Sequence, residues 1–316
     1  MNRYVINRLL LLLPTLWLVT LFVFFGFRLV PGDVIDAQFS EVAGSSPEVL
    51  AEMRHKLGLD QPAYVQYFRW IGGALRGDLG ASLVSNASVA ERIAESVPVS
   101  AELAILSIMI SISIALPVGI IAAIRQNTWL DYLGRTISIA GLATPSFVTA
   151  LLLMVLPALW FYWTPPLGYA NLWDKPLLNL QQVLPAAVAL GANLSAVSMR
   201  MTRSTMLEVL REDYVRTARS KGLHEQVVVL RHVLRNALVP VVTVWGSEFG
   251  VLLGGTVIIE SIFGLPGVGL LTLQAITNRD YAQMQGNVVF LATVFVMVNL
   301  AVDLIYGVID PRIRYS

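Results

Sequence analysis

The chain has 316 residues, of which 56% are hydrophobic and only 14% are charged, and its formal net charge is +1. A soluble domain usually carries about 25% charged residues, so these values exclude one large soluble domain, and the small net charge argues against a nucleic-acid partner. The lack of cysteine excludes disulfides and thiolate chemistry. Charge-free runs alternate with charged connections, which is typical of a membrane protein.

Six segments are apolar enough to cross a membrane as helices, which takes about 20 residues each. The predicted spans lie at or within Leu9–Phe27, Leu103–Ile124, Thr136–Trp163, Leu177–Met199, Asn236–Ile259 and Tyr281–Ile309. The first run is longer than the apolar core of a signal peptide, and no small-x-small cleavage site follows it, so we interpret it as a retained helix. The expected fold class is an all-α membrane protein with six transmembrane helices.

The connections between these spans differ in positive charge. Most of the 22 Lys and Arg residues lie at the two termini and in the connections after the second and fourth spans. Connections rich in Lys and Arg stay in the cytoplasm. We therefore predict cytoplasmic termini and three regions: 1–30 with the first span, 31–98 outside the cytoplasm, and 99–316 as a five-span core that contains a cytoplasmic loop at 200–236.

The outer segment, 31–98, is too long for a simple turn. Apolar residues at helical spacing over Pro47–Leu57 and Tyr64–Leu75, and a capping box at Ser88–Glu91, predict three short helices. The expected result is a small helical extracytoplasmic subdomain. Its role is open between a lid or scaffold on the bundle and a platform for a partner that delivers a solute.

The loop at 200–236 is the densest cluster of charge in the chain, and two apolar stripes at helical spacing flank Gly222. The first stripe consists of Leu207, Leu210, Tyr214 and Ala218. The second stripe consists of Leu223, Val227, Leu230, Leu234 and Leu238. A glycine between two helices lets one end and the next begin, so we predict a helix–glycine–helix hairpin at the inner membrane surface.

Two roles fit this hairpin. Basic amphipathic helices bind anionic lipid and thereby anchor a topology. Alternatively, a cytosolic protein grips the hairpin, and its rigid helices transmit the movement into the neighbouring spans.

The stretches Tyr214–Gly222 and Arg231–Pro240 resemble the coupling signature of ABC importer permeases, most closely the variant of the peptide and nickel importers. The generic signature begins Glu-Ala-Ala and has a glycine four residues after its last alanine. In this chain, the Glu-Ala-Ala positions are occupied by Arg216, Thr217 and Ala218, so the glutamate is absent. The glycine position, four residues after Ala218, is occupied by Gly222.

Other stretches extend the resemblance over essentially the whole chain. They are Leu57–Pro62, Gln66–Tyr67, Gly77–Gly80, Glu260–Gly269, Asn278–Tyr281 and Asp310–Arg314. Each stretch alone is weak, but together, in this order and with these spans, they are specific.

The resemblance implies a non-enzymatic permease subunit in the plasma (inner) membrane of a bacterium or archaeon. It also implies four kinds of partner: a second, similar permease, two cytosolic ATPases that bind ATP and Mg, an extracytoplasmic solute-binding protein, and membrane lipid. A surface cleft of the ATPases would receive the coupling residues. These are Tyr214, Arg216, Thr217, Ala218, Arg219, Lys221, Gly222, Leu223 and His224.

The residues themselves give no sign of catalysis. A phosphate-binding G-x-x-x-x-G-K-[ST] loop is absent, and no metal-binding spacing such as HExxH occurs. Gly246, Gly250 and Gly254 recur every four residues, which is typical of close helix packing. This face meets either the fifth helix of a second subunit or another helix of the same chain.

Two acids, Glu248 and Asp303, lie inside predicted spans. A charge in a span is costly and usually faces a protein interior or water. Each acid therefore either lines the substrate path or makes a structural hydrogen bond.

The rival function is an ion-coupled secondary carrier, which needs internal repeats and intramembrane titratable groups. The sequence has no convincing repeat and only these two interior acids. A membrane-embedded enzyme lacks any nucleophile–base or metal constellation. Among family substrates, peptide-like solutes are favoured over nickel, sugar-like or other small solutes, because no metal path is evident in the spans.

Overall fold

The computed structural model describes residues 2–28, 48, 51–52, 55, 60–82 and 84–309, without the side chains of 2–9, 27, 254–255, 303 and 305–309. The helices in these ranges are α1 (Asn2–Arg28), α2 (Ala63–Ala74), α3 (Val89–Ile124), α4 (Trp129–Ala143), α5 (Ser146–Phe161), α6 (Pro176–Val209), α7 (Asp213–Ser220), α8 (Glu225–Val227), α9 (Leu234–Gly255), α10 (Val257–Phe263), α11 (Val268–Thr277) and α12 (Tyr281–Ile309). A π-helical segment, Val228–Val233, joins α8 to α9.

Several of these helices are suited to a bilayer. Within the described residues, four are long and apolar enough to cross it, or up to six if each of two bent helix pairs counts as one span. An apolar stretch of α1, Leu10–Gly26, is shorter. The all-α membrane fold is thus confirmed, whereas the count of six spans stays a prediction.

The third predicted span, Thr136–Trp163, is wrong as one continuous helix. The chain bends by 94° between α4 and α5, at Thr144 and Pro145. Proline lacks the N–H that would continue the helix and disfavours helical backbone in the residue before it. Thr144 is accordingly extended, with φ −93° and ψ 114°.

The outer segment follows the prediction in part. Helix α2 begins after Pro62 and contains the predicted apolar positions up to Ile71, whereas the predicted helix at Pro47–Leu57 lies largely outside the described residues. The capping box at Ser88 does start a helix, since the Glu91 N–H donates to the Ser88 hydroxyl at 3.5 Å. That helix is not a separate short one, because it continues as the 36-residue α3.

The chain divides into two compact units. The first comprises residues 1–99 and 266–296, and its buried residues include Val89, Ile93 and Leu271. The second comprises residues 100–265 and 297–316. Its central helix is α6, which contacts α4, α5, α9 and α10.

Small residues let the helices of the second unit approach closely. A Cβ added to Gly191 of α6 would lie 2.7 Å from the Ser107 carbonyl oxygen of α3. A Cβ on Gly246 of α9 would overlap the side chain of Val302 in α12. The sequence left open whether the face of Gly246, Gly250 and Gly254 packs against a second subunit or within the chain. Gly246 packs against a helix of the same chain.

Replacing Gly191 with alanine is expected to destabilise the protein by about 1–3 kcal/mol, because overpacking forces the two helices apart. Thermal unfolding of the purified protein measures this loss. Gly72 of α2 is the matched control, since no atom of the part of the chain that the structure describes lies within 4 Å of its added Cβ. There alanine should not lower the melting temperature, and an equal loss at both positions would contradict the packing argument.

Candidate functional site

Helix α7 contains most of the predicted coupling residues, and a hydrophobic core anchors it. Val215 and Ala218 are buried, with 0% and 6% of their surface exposed. They belong to one cluster with Met206 of α6, Val229 and Val233 of the π-helical segment and other apolar residues. The Asn236 amide also donates to the Tyr214 hydroxyl at 2.8 Å. These contacts join α7 to both α6 and α9.

The opposite face of α7 is polar and accessible. Arg216 and Thr217 are exposed, and so are Lys221 and His224 beyond the end of the helix. Arg216 makes one loose ion pair with Asp213 at 3.5 Å, in which both side chains are largely exposed. This face leaves its charged groups available to a partner.

A rigid turn follows α7. Gly222 has φ +75°, a left-handed conformation that glycine adopts without steric cost. Arg219 spans the turn and donates to both carboxylate oxygens of Glu225, at 3.1 and 2.7 Å. This hydrogen bond raises the pKa of Arg219. The position of Gly222 between two helices is as the sequence predicts.

The predicted hairpin is wrong in its details. Its upstream helix is divided, because α6 ends at Val209 and α7 begins at Asp213. Its downstream helix is not a separate surface element, since residues 225–253 form one candidate span.

The second predicted stripe packs only in its later part, where Leu234 and Leu238 lie half-buried against the core. Leu223, Val227 and Leu230 are 41%, 41% and 60% exposed, whereas Val229 and Val233 are buried. Both sides of this segment are apolar, so the spacing alone could not select the packed one. The π-helical segment, whose last bond runs from the Leu234 N–H to the Val229 carbonyl, also shifts the helical register.

An ionic cluster that the sequence analysis missed joins α4 to the later part of α6. Asp131 of α4 is fully buried, and Arg203 of α6 donates to its two oxygens at 2.6 and 2.9 Å. Arg135 adds two more bonds, at 3.1 and 2.6 Å, and the Asn127 N–H a fifth at 3.0 Å. The Asp131–Arg135 spacing of four residues was the available signal, but it does not reveal Arg203.

Glu248 lies on a cavity of about 240 Å³ within the second unit, together with Asn193 and Thr256. It is half-buried, and no hydrogen bond from a described residue reaches its carboxylate. The structural hydrogen bond that was one interpretation of this acid is therefore not seen in the described part of the chain. The side chain of Asp303 lies outside the described residues.

The loop between α5 and α6 makes a partly buried hydrogen-bond network with α3 and with the start of α6. The Tyr169 hydroxyl donates to Glu102 at 2.7 Å, and the Asn179 amide donates to the same oxygen at 3.1 Å. Burial, followed by this hydrogen bond, raises the pKa of Tyr169. Tyr169 therefore stays a neutral donor at physiological pH, and the network restrains the loop.

Comparison of the sequence with known proteins identifies its family. Residues 115–315 match the family described as binding-protein-dependent transport system inner membrane component, and residues 1–104 match its N-terminal companion. The chain belongs to this family. The permease is 41% identical to the glutathione transport system permease protein GsiC of Salmonella paratyphi A and 40% identical to that of Escherichia coli K12. Both alignments cover 316 residues and 100% of each chain.

Solved structures agree on the fold of the permease. An inward-facing form of the MetNI methionine ABC transporter matches with a TM-score of 0.53 at 18% identity, over 69% of this chain and 96% of that one. An amino acid ABC transporter crystallised with histidines matches with a TM-score of 0.51 at 16% identity, over 70% and 94%. The sequence-based assignment to the ABC importer permeases of the peptide and nickel type is confirmed. The protein is a multi-pass inner-membrane permease subunit, which excludes the secondary carrier.

Proposed function

We propose that the permease imports small peptide-like solutes, with glutathione as the first candidate. It pairs with a second, similar permease, receives the solute from an extracytoplasmic binding protein, and is driven by two cytosolic ATPases that bind ATP and Mg. Both termini lie in the cytoplasm. The two relatives named for glutathione transport, aligned over their whole length, support this class of solute.

The geometry of α7 carries the coupling part of the proposal. Its buried side joins α6 and α9, and its other side presents charged groups. The exposed side chain of Leu223, beyond the end of α7, adds an apolar group to this surface. The proposed ATPase contact consists of the predicted coupling residues that are exposed: Tyr214, Arg216, Thr217, Arg219, Lys221, Gly222, Leu223 and His224. Ala218, also predicted, is buried and anchors α7 instead. Lipid anchorage is the weaker alternative.

In this proposal, the solute crosses the membrane between the spanning helices. Glu248 and Asp303 are the proposed pathway acids. The case for Glu248 is stronger, because its carboxylate faces a cavity and accepts no hydrogen bond from a described residue. The outer segment, with α2, is the proposed platform for the binding protein.

Purification from the native membrane tests the proposal. A tagged permease should bring down an ATPase and a second permease, and the complex in proteoliposomes should hydrolyse ATP faster when loaded binding protein is added. Glutathione should accumulate inside only with ATP. A permease that accumulates solute alone, driven by an ion gradient, would contradict this function. Import of nickel or a sugar in place of glutathione would keep the importer and refute the solute class.

A further inference from the structure

The cavity beside Glu248 lies where helices of the second unit are interrupted. The breaks in the helices on either side of it place Ser146, the first residue of α5, and Thr256, between α9 and α10, in its wall with Asn193 of α6. Secondary transporters bind their solutes where spanning helices are interrupted, because the backbone and polar side chains are accessible there. The same physical reason applies to this cavity.

Four polar side chains line this cavity: Glu248, Asn193 and Thr256 offer acceptors, and the Ser146 hydroxyl can both donate and accept. The Asn193 amide donates both of its hydrogen bonds elsewhere, to the carbonyl oxygens of Gly141 and Thr144 at 3.2 Å. The Gly141 carbonyl needs this donor because Pro145 has no N–H to bond it. The Thr256 hydroxyl donates to Glu260 at 2.9 Å. The Asn193 carbonyl and the Thr256 lone pairs, like the Glu248 carboxylate, can thus only accept.

The charge of the cavity wall and the volume of the cavity further restrict which ligand can bind there. No basic side chain is among the described residues that line the cavity, so the charge of Glu248 has no fixed counter-ion there. The rest of the wall is aliphatic and includes Leu252 and Ile259. A volume of about 240 Å³ is below the ~300–1,000 Å³ of pockets that enclose a whole small molecule. The cavity therefore fits one end of a solute.

We propose that this cavity binds the primary ammonium group of a peptide-like solute during its passage, with Glu248 as the counter-ion. The ammonium group has three donors and no acceptor, which matches the three acceptor side chains and their one negative charge. The Asn193 carbonyl and the Thr256 hydroxyl are the second and third acceptors. This proposal rests on the proposed import of peptide-like solutes.

The test compares two solutes in two permeases. Uptake of glutathione and of an analogue in which hydrogen replaces its ammonium group is measured in proteoliposomes that contain the complete importer, with the wild-type chain or with Glu248→Gln. The ratio of the two uptake rates should fall by about tenfold or more in the variant, because hydrogen bonds to charged groups are worth that much. The preference of the binding protein and the amount of assembled importer cancel in this ratio.

Two further variants make the result specific. Glu248→Asp keeps the carboxylate and should keep a ratio well above that of Glu248→Gln. Asp174→Asn removes an exposed acid between α5 and α6 and should keep the wild-type ratio. A Glu248→Gln ratio within twofold of wild type would overturn the ammonium site while import itself persists. A wild-type importer that moves neither solute would instead overturn the proposed function, and this site with it.

Discussion

Replacing Asp131 with asparagine should destabilise the permease by about 3–5 kcal/mol, the cost of breaking a buried ion pair by removing one partner. Asparagine has one acceptor oxygen where the carboxylate accepts five hydrogen bonds from Arg203, Arg135 and Asn127. Its amide would also point N–H groups at a guanidinium. Thermal unfolding of the purified complex measures the loss.

Asp213→Asn is the matched control for this change. Asp213 also pairs with an arginine, but its side chain is 96% exposed and 3.5 Å from Arg216, and such pairs contribute little. The melting temperature should therefore hardly change. Equal effects of the two variants would show that Asp131 and Arg203 do not form the cluster described above.

The Asp131 cluster also has a functional consequence. It attaches α4 to Arg203, near the end of α6, and α6 is followed directly by α7. A displacement of α7 by the ATPases would therefore reach α4 through Arg203 as well as through the hydrophobic core. We expect Asp131→Asn to lower import more than it lowers ATP hydrolysis in the fraction that stays folded.

Replacing Gly222 with valine should uncouple ATP hydrolysis from import. Among the described residues, no other atom lies within 4 Å of a Cβ at Gly222, but its φ of +75° is a strained conformation for a β-branched residue. The turn must then change shape, and the proposed ATPase contact with it. Solute moved per ATP should fall by about tenfold, within the usual range of coupling energies, in proteoliposomes that report both rates.

Gly168→Val separates coupling from backbone strain. Gly168 also has a positive φ, +91°, and open space around its Cβ position, but it lies in the loop between α5 and α6. Valine there should cost similar stability and leave the solute moved per ATP unchanged. Gly222→Asn should be milder than valine, because asparagine tolerates the left-handed region. Normal coupling in Gly222→Val would remove the turn from the coupling mechanism.

Local patterns determined most of what the sequence alone could reveal. The thickness of a bilayer demands long apolar runs, so hydropathy was sufficient to predict the all-α membrane fold and the bounds of α12. Gly222 was identified in the same way, because a glycine between two helical patterns marks a turn wherever the helices go. The short motifs around it were specific enough to indicate the family.

Only the tertiary structure decided which residues meet. Asp131 and Arg203 are 72 positions apart, and no spacing rule joins them. The segment after Gly222 is apolar on two sides, and its packing against α6 and α7 selected Val229 and Val233 over Leu230. Glu248 was a candidate from its position in a span. Only the fold shows that the Asn193 amide and the Thr256 hydroxyl donate their hydrogen bonds to other groups, which leaves their acceptors to the cavity. Such contacts depend on distant parts of the chain, which local periodicity does not encode.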